Sequence, residues 1–313
     1  MKKFEFNYNK NFVCIGSNCK HNCCIGWQID IDKKSLNLYQ ALSKTDARFN
    51  SDCFSEKTFN LNSKHNIGAG RCPFLDDDNL CYIIKNYGKK ALCKTCKTHP
   101  RFKNFFTGRI ETGLGLYCEH AGKIILSFKP KMKEVLVKDD LKNTKLSTFE
   151  KKILSFRKKT LSIAQNRKLS INQRLMDLSK LSNINLEKNS FNDWLNIYSK
   201  LDKLNINNFR FDMITQSKTF APIVQDFERE YEQLLSYLIY RHLSRAIDLL
   251  DLRVRLGFVI LSFNMINHIF SCQDEKTINS LVEVCRFYSS EIETSDDNIF
   301  ALLNEVENLI SFI

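Results

Sequence analysis

Four cysteines stand within eleven residues, in Cys14-Ile15-Gly16-Ser17-Asn18-Cys19-Lys20-His21-Asn22-Cys23-Cys24. A hydrophobic core has no use for four thiols so close along the chain. The stretch reads as a loop wrapped around a metal ion or an inorganic cluster, with Gly16 and Gly26 free to make its tight turns. Three further groups follow: Cys72 with Cys81, Cys93-x2-Cys96, and Cys118. Ten of the twelve cysteines precede residue 119, which leaves Cys272 and Cys285 to be read as plain buried thiols. The opening residues carry no apolar signal segment, and the longest apolar run, Leu256 to Leu261, is far short of a membrane span. The expectation is a cytoplasmic protein without a membrane partner. In a reducing compartment, clustered thiols point to metal or redox chemistry rather than disulfides.

Thiolates are soft ligands that suit zinc, copper(I) and iron–sulfur clusters. The spacing does not choose among them. Cys14-x4-Cys19-x3-Cys23-Cys24 is irregular, and only Cys93 and Cys96 form the knuckle typical of structural zinc. The ferredoxin run C-x2-C-x2-C-x3-C-P is absent. The triplet C-x3-C-x2-C is begun by Cys19 and Cys23, but Gly26 stands where its third cysteine belongs.

The chain changes character near its middle. Phe4, Phe6, Tyr8 and Phe12 suggest a short strand or extended lead-in. Trp27 to Asp32 alternates apolar with polar residues, and a short helix is expected from Asp32 through Tyr39 to Leu42. Residues 44–70 read as loop with a strand at most. Residues 129–160 hold eleven Lys and Arg against four Asp and Glu, and the boundary is placed at 130–145. From about residue 147 the periodicity is helical. Pro222 marks a helix start, Ile223, Phe227, Tyr231, Leu234, Leu235, Leu238 and His242 an apolar face, and Leu249 to Ile269 a buried helix. Two closing helices follow through Leu281–Tyr288 and Leu302–Ile310. The fold expected is mainly α: a cysteine-rich, loop-heavy N-terminal part with short strands and a metal or cluster site over residues 1–130, and an all-helical part over 131–313.

The formal net charge of +12 favours an acidic partner. Nucleic acid is not expected, because the phenylalanines fall at helix-spaced apolar positions rather than between basic residues as stacking platforms.

The quoted cysteines carry a resemblance. Phe12-Val13-Cys14-Ile15-Gly16-Ser17-x-Cys19-x3-Cys23-Cys24-x-Gly26-Trp27, then Arg71-Cys72-Pro73-Phe74-Leu75, Leu80-Cys81, Thr95-Cys96-Lys97-Thr98-x-Pro100-Arg101 and Cys118-Glu119-x-Ala121 resemble the flagellin lysine-N-methylase family, which is itself similar to small zinc- or iron-chelating cysteine-rich proteins. The similarity is dense over residues 10–128 and extends loosely to Glu230-x6-Tyr237-Leu238-x-Tyr240-Arg241. It implies a lysine methyltransferase that takes methyl groups from S-adenosylmethionine (SAM) to surface lysines of flagellin, its protein partner. It also implies a [4Fe–4S] cluster, with zinc as the alternative metal. The positions matching the pattern, and so the candidates for metal and cofactor binding, are Cys14, Cys19, Cys23, Cys24, Cys72, Cys81, Cys96 and Cys118. Cys53 and Cys93 fall outside it. Glu119-His120 departs from the family's usual Pro-Glu after the last cysteine, so the role of Glu119 is open. The alternative reading is a zinc- or iron-chelating or electron-transfer module that moves no methyl group.

Methylating lysine sets a physical problem. Its ammonium has a pKa near 10.4, and only the neutral amine attacks a methyl group. Desolvation and a nearby base would both help. Tyr82, Tyr87, His99, Tyr117, Glu119 and His120 lie among the cysteine segments and are candidates. The glycine-rich fingerprint of a doubly wound SAM-binding sheet is missing; Gly113-x-Gly115 is a lone pair.

Overall fold

A computed structural model of the chain describes residues 1–26, 28–55, 57–61, 70–139, 145–202 and 219–310. Trp27, the first residue of the alternating stretch, lies outside them. The chain divides into two compact units. One consists of Val13–Phe102 with Cys118–His120 and holds every cysteine of the N-terminal groups. The other is built from residues 1–12, 103–117 and the chain from Ala121 onward.

The second of these units carries a small sheet: β1 (Lys2–Phe6), β2 (Arg101–Phe106), β3 (Arg109–Leu114) and β4 (Glu134–Asp139), in the order β2-β3-β1-β4. β1 runs parallel to β3, with Lys2 opposite Arg109, and antiparallel to β4, with Phe6 opposite Glu134. A doubly wound sheet is not formed by these four strands. β4 corrects the all-helical expectation for residues 131–313 and the linker placed at 130–145. Val135, Leu136 and Val137 are an edge strand, exposed on both faces, whose partner lies at the far end of the sequence.

The helices of this unit follow the sequence closely. α5 (Thr148–Ala164), α6 (Ile171–Ser182), α7 (Phe191–Ser199) and α10 (Ile278–Tyr288) each begin with a reciprocal capping box, from Ser147/Glu150, Ser170/Gln173, Ser190/Asp193 and Thr277/Ser280. α9 (Leu249–Ser271) is buried around most of its circumference, as its continuous apolar run demands, and packs against α6, α8 (Glu228–Leu243), α10 and α11 (Asp296–Glu307). Gly257 sits at its middle because a Cβ there would come within 2.7 Å of Ile184 Cδ1 and 2.8 Å of Val306 Cγ1. α8 starts at Glu228, after Pro222, Ile223 and Phe227, so the helix start expected at Pro222 is late by a turn and a half; Val224 and Ala221 instead bond to Asn267 and His268. Cys285 is buried as expected, whereas Cys272, the C-cap of α9, is exposed. No described helix is long and apolar enough to cross a membrane.

Two buried polar networks fasten this unit. Glu111 of β3 is fully buried and accepts from Arg109 Nε at 2.6 Å and from Arg157 Nη1 and Nη2 at 2.6 and 2.8 Å. Arg157, from α5, also binds Glu134 of β4 and Ser244, and its guanidinium lies 4.7 Å from the centroid of the Tyr240 ring. Glu293, in the π-helical segment Ser289–Glu293, accepts from Tyr237 Oη at 2.7 Å and from Ser289, and lies 2.7 Å from His242 Nε2. Burial holds His242 below its ordinary pKa even beside Glu293.

The cysteine-rich unit has little regular structure: α1 (Lys33–Leu42), α2 (Tyr82–Tyr87), α3 (Lys94–Thr98) and isolated bridges such as Asp30 with Thr58 where a strand was expected. α1 begins where the sequence places it, because Asp32 caps it by accepting from Ser35 N at 3.2 Å. Its core is aromatic. Tyr39, Phe49, Phe59 and Phe74 gather with ring centroids 4.7–6.2 Å apart, and Tyr39 donates to the Ala91 carbonyl at 3.0 Å.

Candidate functional site: a thiol centre in the cysteine-rich unit

Several of the thiols share the aromatic core of this unit. Cys72 and Cys93 are buried within it, and Cys24, Cys81 and Cys96 pack against it. They arrive on several pieces of backbone. Cys24 and Cys72 are neighbours across a bridge, with Cys72 N donating to Cys24 O at 2.7 Å, beside the pair Ile25 and Arg71. Asn22 Oδ1 steadies the same loop by accepting from Cys24 N at 2.9 Å. Gly26, at φ +87°, turns the chain there in a conformation that a side chain would strain, and its amide donates to Gly70 O at 2.7 Å. Cys81 pairs with Leu75 in a second bridge and precedes α2. Cys93 is the N-cap of α3 and Cys96 lies one turn on, with Lys97 N closing on Cys93 O at 3.0 Å.

A second, more open group adjoins it. Cys14 and Cys23 are exposed, and Cys19 and Cys118 half-buried. Burial opposes the protonation of His99, but the Cys118 and Cys23 thiols beside it outweigh that and push the imidazole up to about 9. In return the Cys23 thiol is drawn far down, first by the hydrogen bond from Cys24 and then by His99, while Cys24 is pushed up. Cys19 is pushed up to about 12 by burial and by the charges of Glu119, Cys118, Cys14 and Cys23 around it. The adjacent residues Cys23 and Cys24 thus join the open group to the buried one.

Glu119 is the clamp of the open group. Its Oε1 accepts from Lys20 N and its Oε2 from His21 N, both at 3.0 Å, so the residue after Cys118 grips the loop between Cys19 and Cys23. The tyrosines have other duties as well. Tyr82 and Tyr87 both donate to Asp46 Oδ2, at 3.0 and 2.7 Å, and the Asp46 carboxylate pushes the Tyr87 phenol up to about 12. Tyr117 and His120 are half-buried with contacts of their own.

All eight cysteines singled out in the sequence lie in this unit: Cys24, Cys72, Cys81 and Cys96 on the aromatic core, Cys14, Cys19, Cys23 and Cys118 in the open group. Cys93 joins the buried set although it lies outside the family pattern; its signal was the knuckle spacing to Cys96. Cys53 is buried nearby and donates to Arg48 O at 3.1 Å. Among the described residues, no three His, Cys, Asp or Glu side chains converge tightly enough to hold a single metal ion. The donor set itself, six thiols from five chain segments on one core with Cys53 among them, is of the soft type that iron–sulfur clusters and zinc take.

A cysteine-rich unit set into the chain of a mainly helical protein is the class that the fold defines. No family model matches the chain, and no solved structure matches it significantly. Curated relatives do. The chain is 33% identical over 125 residues to a lysine-N-methylase of Salmonella typhimurium, and 32% identical over 126 residues to a lysine-N-methylase of Salmonella choleraesuis, each match covering 37% of this chain and 30% of the relative. It is 32% identical over 126 residues to the flagellar biosynthetic protein FliU of Salmonella muenchen, covering 37% of this chain and 72% of that protein. The chain belongs to the flagellin lysine-N-methylase family.

Proposed function

We propose that this chain is a SAM-dependent protein-lysine N-methyltransferase whose substrate is flagellin and whose thiol centre holds an iron–sulfur cluster. The observation that carries the reading is its relatedness to two lysine-N-methylases and to FliU. The packing of thiols on one core supports the reading. Cys24, Cys72, Cys81 and Cys96 match the family pattern and share one desolvated core, and they are the sulfurs from which the ligands of the cluster are proposed to come. Held by three of them, such a cluster would supply a Lewis acid for the amino-acid end of SAM.

The chain's own side chains have defined work around that place. Glu119 and Asn22 fix the loop bearing Cys19, Cys23 and Cys24. His99, held protonated between Cys23 and Cys118, neutralises thiolate charge rather than taking a proton from the substrate amine. Tyr82, Tyr87 and Glu119 are engaged with Asp46 and with backbone amides, which argues against them as the base. The substrate amine is instead readied chiefly by desolvation, which lowers the pKa of a lysine on entering an apolar surround.

The test has two arms. Anaerobically purified protein is expected to contain iron and sulfide and to absorb broadly near 400 nm; a colourless zinc protein would sink the cluster. Flagellin incubated with the protein and SAM is expected to gain mass in methyl increments of about 14 Da on lysine; an unmodified flagellin would sink the methylase reading and leave a chelating module.

A further inference from the structure

Beside the buried thiols the cysteine-rich unit opens a cleft of about 420 Å3. Lys34 and Leu38 line it from α1, Lys94 and Lys97 from α3, and Lys90 from the turn Lys89–Ala91 that precedes α3. The four lysines are exposed, and none has a carboxylate partner among the described residues. Asp32, the one carboxylate of the lining, is already engaged: Oδ1 accepts from Ser35 N at 3.2 Å, and Oδ2 from Ser35 Oγ at 2.9 Å and from Lys94 N at 2.7 Å. Four ammonium groups against one carboxylate leave the cleft at +3. Like charges gathered without counter-charges repel, and the fold gains nothing from them; they favour an anionic visitor.

The lining narrows what that visitor is. It offers no aromatic ring for a base to stack on, and no arginine fork for bidentate phosphate recognition. Lysines are point charges on flexible stems, suited to carboxylates spaced along a polypeptide. Leu38, 39% exposed, adds an apolar spot for an aliphatic neighbour. The placement also matters. α3 carries Cys96 onto the thiol core and Lys94 and Lys97 into the cleft, so a segment lying in the cleft runs alongside the sulfurs.

We propose that this cleft docks an acidic segment of the protein substrate, a stretch bearing Asp and Glu residues that anchors the target beside the thiol centre. The proposal rests on the protein-methylase reading for its purpose, but its test does not. Binding of a fluorescein-labelled oligoglutamate peptide to the full chain is followed by fluorescence anisotropy at low salt. The double variant Lys34→Glu/Lys90→Glu is expected to bind about tenfold more weakly, since each reversed charge replaces an attraction by a repulsion. Lys34→Arg/Lys90→Arg is expected to bind like the unaltered chain, and so is Lys158→Glu/Lys159→Glu, which makes the same charge change on α5. Equal weakening by both charge-reversed variants would reduce the effect to bulk charge and overturn the proposal. Preferential displacement of the peptide by inorganic phosphate or oligothymidylate would overturn it too. With flagellin as substrate, Lys34→Glu/Lys90→Glu is expected to raise KM about tenfold with little change in kcat; an unchanged KM would remove the docking role while leaving the methylase reading intact.

Discussion

Glu119 shows how one residue joins segments that the sequence keeps apart. Its two oxygens hold the amides of Lys20 and His21, 99 and 98 residues away along the chain. The resemblance left its role open, since the family more often has proline-glutamate after the last cysteine. Here the carboxylate stands directly after Cys118 and ties that sulfur's backbone to the loop of Cys19 and Cys23. Glu119→Gln keeps one acceptor and turns a donor amide toward the other N–H. Losing one charge-assisted hydrogen bond is worth about 1.5 kcal/mol, so exchange at the Lys20 and His21 amides is expected to rise about tenfold. Hydrogen exchange read by mass spectrometry checks this; unchanged exchange at both amides would mean that the clamp restrains nothing.

At the scale of elements, Glu111 is the joint between strands and helices. It sits on β3, and its partners come from β3 itself and from α5, while Arg157 of α5 reaches on to Glu134 of β4. Burial raises the pKa of such a carboxyl, but the Arg157 and Arg109 guanidiniums outweigh it and hold Glu111 below the usual carboxylate range. A depressed native pKa contributes stability above the unfolded value, about 4.3, and that contribution is lost as pH falls through the native value. Glu111→Gln leaves Arg157 buried beside a neutral amide and is expected to cost about 3–5 kcal/mol at pH 7. The gap between variant and unaltered chain should then shrink below about pH 4, where the native glutamate also loses its charge. Urea unfolding at pH 7 and pH 3 measures both; a gap that is the same at the two values would show that the ion pair carries none of the cost.

At the scale of the whole molecule, the cysteine-rich unit has three short helices, few bridges and a thiol-lined core, whereas the other unit has capped helices packed around α9. A loop-rich unit of this kind draws stability from whatever its sulfurs bind, because metal affinity becomes folding free energy. If the thiols hold iron as proposed, its removal by a chelator under anaerobic conditions is expected to open Val13–Phe102 to proteolysis while the helical signal in circular dichroism stays within about a tenth of its starting value. Loss of the helical signal along with protease resistance would show that the units do not stand separately.

Much of this was legible beforehand, and the failures have reasons. Ser147 with Glu150 and Asp32 before α1 are local signals, so those helices start where they were read. The apolar run of α9 needed only its own periodicity. β4 was missed because a strand of six exposed residues has no buried alternation to reveal it, and only β1 gives it a partner. The start of α8 was misplaced because Ile223 and Phe227 keep helical spacing without being in the helix.

What the sequence alone determined is the material: eight thiols in a family pattern, glycines at the turns, and helices with local start signals. Such features follow from neighbours a few residues apart, where periodicity and side-chain chemistry suffice. The tertiary structure decided which sulfurs meet, that Cys93 joins Cys72 and Cys96 on the aromatic core, and that His99 stands between Cys23 and Cys118. It also gathered Lys34, Lys90, Lys94 and Lys97 around one cleft. These groupings depend on the path of the chain between segments tens of residues apart, and no local pattern of residues encodes that path.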